Sequence, residues 1–235
     1  MESDEVEEAP EVVHWRDREA AAIEPFADWT ADLQPSPETM QRFFGSFLRE
    51  EPEDDEVDAF AEFVLFDHVD DVDQRTLVQR FLDAHPDGDE SDRRILESLA
   101  DSRPSLYRIV ECRSGEGVVL EDLFRHGEAV FLTDALFAST SAEGMVVPCR
   151  LYRVGTFVFG RPAGTALEAH EAVGALAWLE ARFCRWASMT HCVDRHDFLR
   201  HHPELVTQAT YAVTRPPGEG SSYDEPAAVD PVAET

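Results

Sequence analysis

The sequence predicts an α+β protein with an N-terminal helical region, a central small antiparallel β-barrel or curled sheet, and a C-terminal helical pair. Apolar residues recur at helical spacing over residues 36–103, at strand spacing over 104–162, and again at helical spacing over 163–205. Residues 1–35 are expected to form an acidic tail and an arm that packs on the body. Residues 206–235, many of them Pro, Gly, Ser and acids, are expected to be a disordered tail.

Four helices are predicted in the helical region. Ser36 can cap the first, because a hydroxyl followed by a proline and an acid is typical of a helix start. A Glu-Pro-Glu break precedes the second helix. Asp73 is the expected cap of the third, and Asp89 or Ser91 that of the fourth. The apolar positions that define the four helices are Met40, Phe43, Phe44, Phe47, Val57, Phe60, Ala61, Val64, Leu65, Leu77, Val78, Phe81, Leu82, Ile95, Leu96 and Leu99.

Short apolar segments separated by glycines predict strands after Pro104. These segments are 106–110, 118–120, 129–132, 146–154 and 156–160. Their spacing is typical of a small antiparallel barrel or curled sheet, which we expect to be closed or nearly closed. A long helix is predicted over residues 166–187, and a shorter one from Asp194 to His202 that stops at Pro203.

The charge composition predicts the solvent in which this protein works. The chain has 49 Asp and Glu residues against 20 arginines and no lysine, for a net charge of -29. Such a charge repels itself in dilute buffer, whereas molar salt shortens the Debye length to about 3 Å. We therefore expect the cytoplasm of a salt-accumulating halophile. The acidic N-terminus lacks the basic and apolar parts of a signal peptide, which also favours a cytoplasmic location.

The same charge limits the classes of partner. Nucleic acids and anionic membranes attract Lys and Arg, so the acidic surface argues against DNA and against a membrane. No stretch reaches the roughly 18 apolar residues that span a bilayer. A protein partner is the main expectation, and a local arginine patch leaves RNA possible.

The stretch from Phe63 to about Gly160 resembles a family of uncharacterised prokaryotic proteins, many of which also carry a cysteine-rich zinc module of the SecA C-terminal (SEC-C) type. The segments that carry the resemblance are Phe63-Val-Leu-Phe-Asp67, Thr76-Leu-Val-Gln-Arg-Phe-Leu82, Ser102-Arg-Pro-Ser-Leu-Tyr107 and Gly117-Val-Val-Leu-Glu-Asp-Leu123. The resemblance implies a helical region that leads into a small β-barrel, with no known catalysis. The Cys-x-Cys start of the zinc module does not occur in these 235 residues.

Arginine and aromatic residues on the predicted barrel suggest a ligand face. Barrels of the oligonucleotide-binding or SH3-like type present such side chains to nucleic acid or peptide. Arg150 and Tyr152 share one face of a strand, and we expect that face to be exposed, with Arg108 as a third candidate. Leu151 is expected to point inward. Arg153, its neighbour on the inward face, is then expected at a strand end or beside an acid.

The C-terminal segment contains the densest set of metal-ligating side chains. A zinc site needs four such groups, and the candidates are Cys184, Cys192, His196 and His201. Their spacing lacks the paired knuckles typical of zinc sites, and Cys184 beside Phe183 fits a buried apolar position. Cys192 is the best candidate for a cysteine nucleophile, although no oxyanion signature flanks it.

Two classes of function follow from these observations. The favoured interpretation is a non-enzymatic binding or adaptor protein without a cofactor, whose partner is a protein or an RNA-containing assembly. The alternative is a metal- or cysteine-dependent enzyme that uses the C-terminal Cys/His segment, with zinc as its metal.

Overall fold

The computed structural model describes residues 9–49, 51–70 and 73–215. The N-terminal arm is a helix, α1 (Pro10–Thr30). Its Phe26 is buried against the rings of Phe66 and Phe81, at centroid distances of 5.8 and 5.3 Å. The arm thus packs on the helical region. The acidic residues 1–8 lie outside the described residues.

The helical region contains α2 (Pro37–Phe44), a short 3-10 helix (Gly45–Phe47), α3 (Asp54–Phe66), α4 (Leu77–Ala84) and α5 (Glu90–Asp101).

Two of the predicted N-terminal caps of these helices are confirmed, and one is wrong. The Ser36 hydroxyl accepts the N–H of Thr39 at 3.1 Å, and the Asp89 carboxylate accepts that of Ser91 at 2.8 Å. The prediction that Asp73 caps the third helix is wrong. Thr76 caps it instead, because Asp73 lies one turn earlier, where its carboxylate binds Arg80.

Five strands form one sheet over the described residues: β1 (Pro104–Arg113), β2 (Gly117–Asp122), β3 (Val130–Leu132), β4 (Val146–Val154) and β5 (Phe157–Pro162). The strand order is β3-β2-β1-β4-β5, and each neighbouring pair is antiparallel. A short helix, α6 (Ala135–Thr140), lies between β3 and β4. The α+β class is confirmed. The sheet is not closed, so of the two forms predicted, the curled sheet is the one observed.

The sheet has apolar side chains on both faces. On its inner face, seven buried side chains of the sheet pack with Ala138 of α6 in one cluster. The seven are Tyr107, Ile109, Val118, Leu120, Leu132, Val147 and Cys149. On the outer face, Tyr152, Val154 and Phe159 pack against the N-terminal helices. Leu106 and Val146 pack against the C-terminal helices. Helices therefore cover the outer face of β4.

Three helices follow the sheet: α7 (Ala169–Thr190), α8 (Arg195–His201) and α9 (Glu204–Thr214). The prediction of a disordered tail from residue 206 is wrong for residues 206–214, which belong to α9. Val206, Ala209 and Tyr211 are buried there, because α9 packs between α7 and α2. Residues 216–235 lie outside the described residues. No helix of the described ranges is both long and apolar enough to cross a membrane.

Candidate functional site

The predicted ligand face of β4 is a buried structural contact. Arg150 and Tyr152 do share one face, but their exposed fractions are only 2% and 3%. The expectation that they face solvent is wrong, because the helices of the N-terminal region cover this side of the strand. Burial raises the pKa of the Tyr152 hydroxyl, and the nearby Glu19 carboxylate adds to this effect. Leu151 packs with the inner cluster, as the alternation of a strand requires.

Arg150 is saturated with protein partners. Its guanidinium pairs with the buried carboxylate of Asp67 and donates to Ser102 O at 2.7 Å and to Ser102 Oγ at 3.1 Å. Arg108, the third candidate, is exposed but pairs with Glu121 on β2, with an Nε–Oε2 distance of 3.1 Å. Neither of the two arginine candidates therefore offers a guanidinium without a protein partner.

The C-terminal Cys/His candidates do not converge. Cys184 is exposed on α7, contrary to the expectation of a buried apolar position, because it lies on the outer side of the helix. The thiol of Cys192 donates to the carboxylate of Asp197 at 3.6 Å, whereas the His201 ring bonds the backbone carbonyl of Asp197 at 2.9 Å. Among the described residues, no three His, Cys, Asp or Glu side chains are placed to hold one metal ion.

His196 lies in a basic environment. Desolvation lowers the pKa of its imidazole, and the charges of Arg125 and Arg200 lower it further. A neutral imidazole can bind a metal, but no other candidate ligand joins it within the described residues.

The two edge strands of the sheet, β3 and β5, lie beside each other, and we call the line between them the seam. A groove lies along part of this seam. Because all neighbouring strands are antiparallel, β3 and β5 run in the same direction along this seam. At one end of the seam the N–H of Thr133 donates to Val158 O at 2.9 Å. The two strands are closely packed at Gly160, where a methyl group would lie 3.2 Å from the Leu132 side chain.

The other end of the seam stays open and encloses a cavity of about 480 Å³. We call it the seam groove and define it by Glu116, Phe131, Arg153, Thr156, Phe157 and Val158, with the first turn of α1 as one wall. The turn between β1 and β2 and the turn between β4 and β5 both border it. Its residues thus come from four separate parts of the chain.

Two local features shape the groove. A methyl group at Gly117 would lie 2.0 Å from Leu132 O, so this glycine allows β2 to approach the end of β3. Gly155 has a φ of 62° and turns β4 directly into β5. The turn leaves Arg153 at the last-but-one position of its strand.

Arg153 is the distinctive charge of the seam groove. Its side chain is exposed and makes no ion pair or hydrogen bond with any described residue. Most arginines of this acidic chain pair with a carboxylate, including Arg113 beside the groove, which binds Glu111 at 2.9 Å and lies 5.0 Å from the Phe131 ring centre. The strand-end position of Arg153 agrees with the first of the two placements that the sequence predicts.

The fold and the groove define an α+β protein whose curled five-stranded sheet leaves one seam open over its described residues. The chain belongs to the family of unknown function DUF7986, whose model matches residues 40–166. The match extends from within α2 through the whole sheet, so it includes the groove residues of the sheet and its turns but not the wall that α1 supplies. No curated protein and no solved structure matches the chain.

Sequence reasoning did not predict this site. The one available signal was the glycine two residues after Arg153, which marks a turn and hence a strand end. Glu116 and Phe131 had no such signal, because their proximity to Arg153 depends on the strand order.

Proposed function

We propose that this chain is a non-enzymatic binding protein of a halophile cytoplasm and that a protein partner occupies the seam groove. The observation that carries the proposal is Arg153, an exposed arginine at the groove without a carboxylate partner among the described residues. In a chain of net charge -29, carboxylates are abundant, and a guanidinium left unpaired suits a carboxylate or phosphate of a ligand.

The position of the groove supports a binding role. A partly open five-stranded barrel of the oligonucleotide-binding type binds its ligands on the face of strands 2 and 3 and at the loops 1–2 and 4–5. The strand order of the sheet is compatible with that type, and Phe131, Glu116 and Thr156 place the groove at the corresponding strand and loops. This support is an analogy of architecture, and the residues have to supply the chemistry.

The charges of the groove favour a protein over RNA. Affinity for a nucleic acid comes mainly from several Lys and Arg side chains that neutralise phosphates. Among the described lining residues Arg153 is the single cation, and Glu116 faces the same cavity. The guanidinium of Arg113, which lies against the Phe131 ring, already pairs with a carboxylate. An extended protein segment with one acidic group fits this balance better than a phosphate backbone.

The lining also favours binding over catalysis. A nucleophile with its base, or a pair of carboxylates, is the usual signature of hydrolytic sites. The described lining residues include no His, Cys or Ser, and Glu116 is their one carboxylate. The alternative class, a metal- or cysteine-dependent enzyme, is tested by metal analysis of protein purified in high salt. About one zinc per chain would support that alternative instead.

The resemblance to prokaryotic proteins with SEC-C zinc modules is a further part of this proposal. A binding domain joined to a zinc module would fit an adaptor role in those relatives. The prediction is checked by inspecting family members for the Cys-x-Cys start of the module.

The test of the proposed function compares Arg153→Glu with a matched control, Arg185→Glu. Arg185 is also exposed and makes no ion pair with the described residues. It lies on α7, and no residue of α7 lines the groove. Each tagged variant and the wild type are purified from native lysate in about 2 M KCl, a salt level at which long-range charge effects are screened. Co-purifying proteins and RNA are then identified by mass spectrometry and sequencing.

The proposal expects a protein that co-purifies with the wild type and with Arg185→Glu but not with Arg153→Glu. Purified separately, that protein should bind Arg153→Glu at least about tenfold more weakly, which corresponds to about 1.4 kcal/mol. If an RNA shows this dependence instead, RNA replaces the protein partner. If all three chains capture the same partners, the binding surface lies elsewhere.

A further inference from the structure

We propose that the occupant of the seam groove is an extended segment of the partner that adds as a short strand along the free edge of β3 and directs a carboxylate at Arg153. This inference rests on the proposed function and specifies its binding mode. It commits to one occupant, a peptide strand with an acidic side chain.

The edge of β3 supplies the backbone groups for such pairing. On one side β3 is paired with β2, through Leu132 with Val118 and Val130 with Leu120. The N–H of Thr133 points across the seam, toward Val158 O. Backbone groups alternate in direction along a strand, so the N–H and C=O of Phe131 point to the seam as well.

The groups of Phe131 that face the seam have no backbone partner there among the described residues, where the Thr133–Val158 bond is the one recorded across the seam. A free strand edge is a template for another strand, and several peptide-binding domains use this mode. The open end of the seam therefore provides an acceptor and a donor for an added strand.

The shape of the groove limits the length of that strand. The Thr133–Val158 bond and the contact of Gly160 with Leu132 close the seam at one end, so a strand can enter only on the side of Phe131 and Thr156, where the cavity lies. The cavity of about 480 Å³ lies within the range of roughly 300–1,000 Å³ that is usual for ligand pockets. A few residues of a peptide fill such a volume.

The charge of the groove selects the acidic group. Arg153 pairs with Val158 in the register of β4 and β5, and both line the groove. Its planar guanidinium can bind both oxygens of one carboxylate. Glu116, on the opposite turn, disfavours a second acidic group in the same segment. The expected occupant has one acidic residue among β-branched or aromatic neighbours.

The test uses two pools of extended heptapeptides with random Val, Ile, Thr and Tyr residues. The central residue is Asp in one pool and Asn in the other. Binding to the full, isotope-labelled chain is measured in about 2 M KCl by the shift of the Phe131 amide resonance. We expect the Asp pool to bind at least about tenfold more tightly than the Asn pool. Arg153→Gln should remove that preference, and Arg185→Gln should keep it.

N-methylation then tests the strand itself. Each backbone amide of the best Asp peptide is methylated in turn, which removes one hydrogen-bond donor. An added strand turns alternate amides to its neighbour, so methylation at alternate positions should weaken binding by at least about tenfold and have little effect between them.

The outcomes separate this inference from the proposed function. If the Asp pool does not bind, or if methylation is tolerated at every position, strand addition is wrong. The proposed function still stands in that case if Arg153→Glu loses the native protein partner. If neither the peptides nor the native partner depend on Arg153, both proposals fail.

Discussion

Arg150 on β4 and Asp67 at the C-terminal end of α3 form a buried ion pair that joins the helical region to the sheet. Both side chains are 3% exposed, and the Arg150 guanidinium also lies 5.6 Å from the ring centre of Phe66. Removing one member of such a pair leaves the other buried without its counter-charge. The pair therefore belongs to the framework of the fold and not to a ligand site.

The first prediction concerns this pair. Asp67→Ala should lower the free energy of unfolding by about 3–5 kcal/mol, since it leaves the buried Arg150 guanidinium without a carboxylate. Arg150→Ala should lower it by less, because Arg103 still lies 4.0 Å from the Asp67 carboxylate. Combining Arg150→Ala with Tyr152→Ala should destabilise the chain further, because a buried aromatic side chain is also lost. Denaturant unfolding in about 2 M KCl measures the change.

A matched control is Arg94→Ala, which removes an exposed arginine paired with Glu90 at 2.9 Å. Exposed pairs of this kind contribute little, so the expected change is within about 0.5 kcal/mol. A value within about 1 kcal/mol of the wild type for the Arg150 and Tyr152 double variant would contradict the structural role. It would instead restore these residues as surface candidates.

The second prediction concerns salt. The 49 carboxylates against 20 arginines should repel one another in dilute buffer, and screening should relieve this repulsion. Circular dichroism should therefore show a higher melting temperature in about 2 M KCl than in about 0.1 M KCl. Equal melting temperatures in the two buffers would mean that the acidic surface does not limit stability.

The third prediction concerns thiol reactivity. Burial raises the pKa of the Cys149 thiol, and the nearby Asp122 carboxylate adds to this effect, whereas Cys184 is exposed on α7. The thiolate is the reactive form, so a buried neutral thiol is protected twice, by access and by protonation. Iodoacetamide should modify Cys184 in the folded protein and Cys149 only after unfolding.

Peptide mass mapping of the alkylated chain distinguishes the two sites. Cys112 and Cys192 are half-buried and serve as internal references of intermediate access. Modification of Cys149 at the rate of Cys184 under native conditions would show that the inner cluster of the sheet opens readily.

The sequence predicts best those features that depend on residues close together in the chain. The helix starts at Ser36 and Asp89 were predictable, because a cap acts on backbone groups only two or three residues away. The same local reasoning failed at Asp73, where a second capping residue, Thr76, lies close by and an arginine competes for the carboxylate. α9 was missed because its burial comes from contacts with α2 and α7, which no local pattern reveals.

The sequence by itself determined the α+β class, the change to strands after Pro104 and the alternation of Arg150, Leu151 and Tyr152, since periodicity is a property of neighbouring residues. Only the tertiary structure decided which face of β4 helices cover, and hence that Arg150 is buried while Arg153 is exposed. It also decided that Arg153 meets Phe131 and Glu116 at one groove. The physical reason is that burial and convergence depend on the order of the strands and on the docking of the helices. These arise from contacts between residues far apart in the chain.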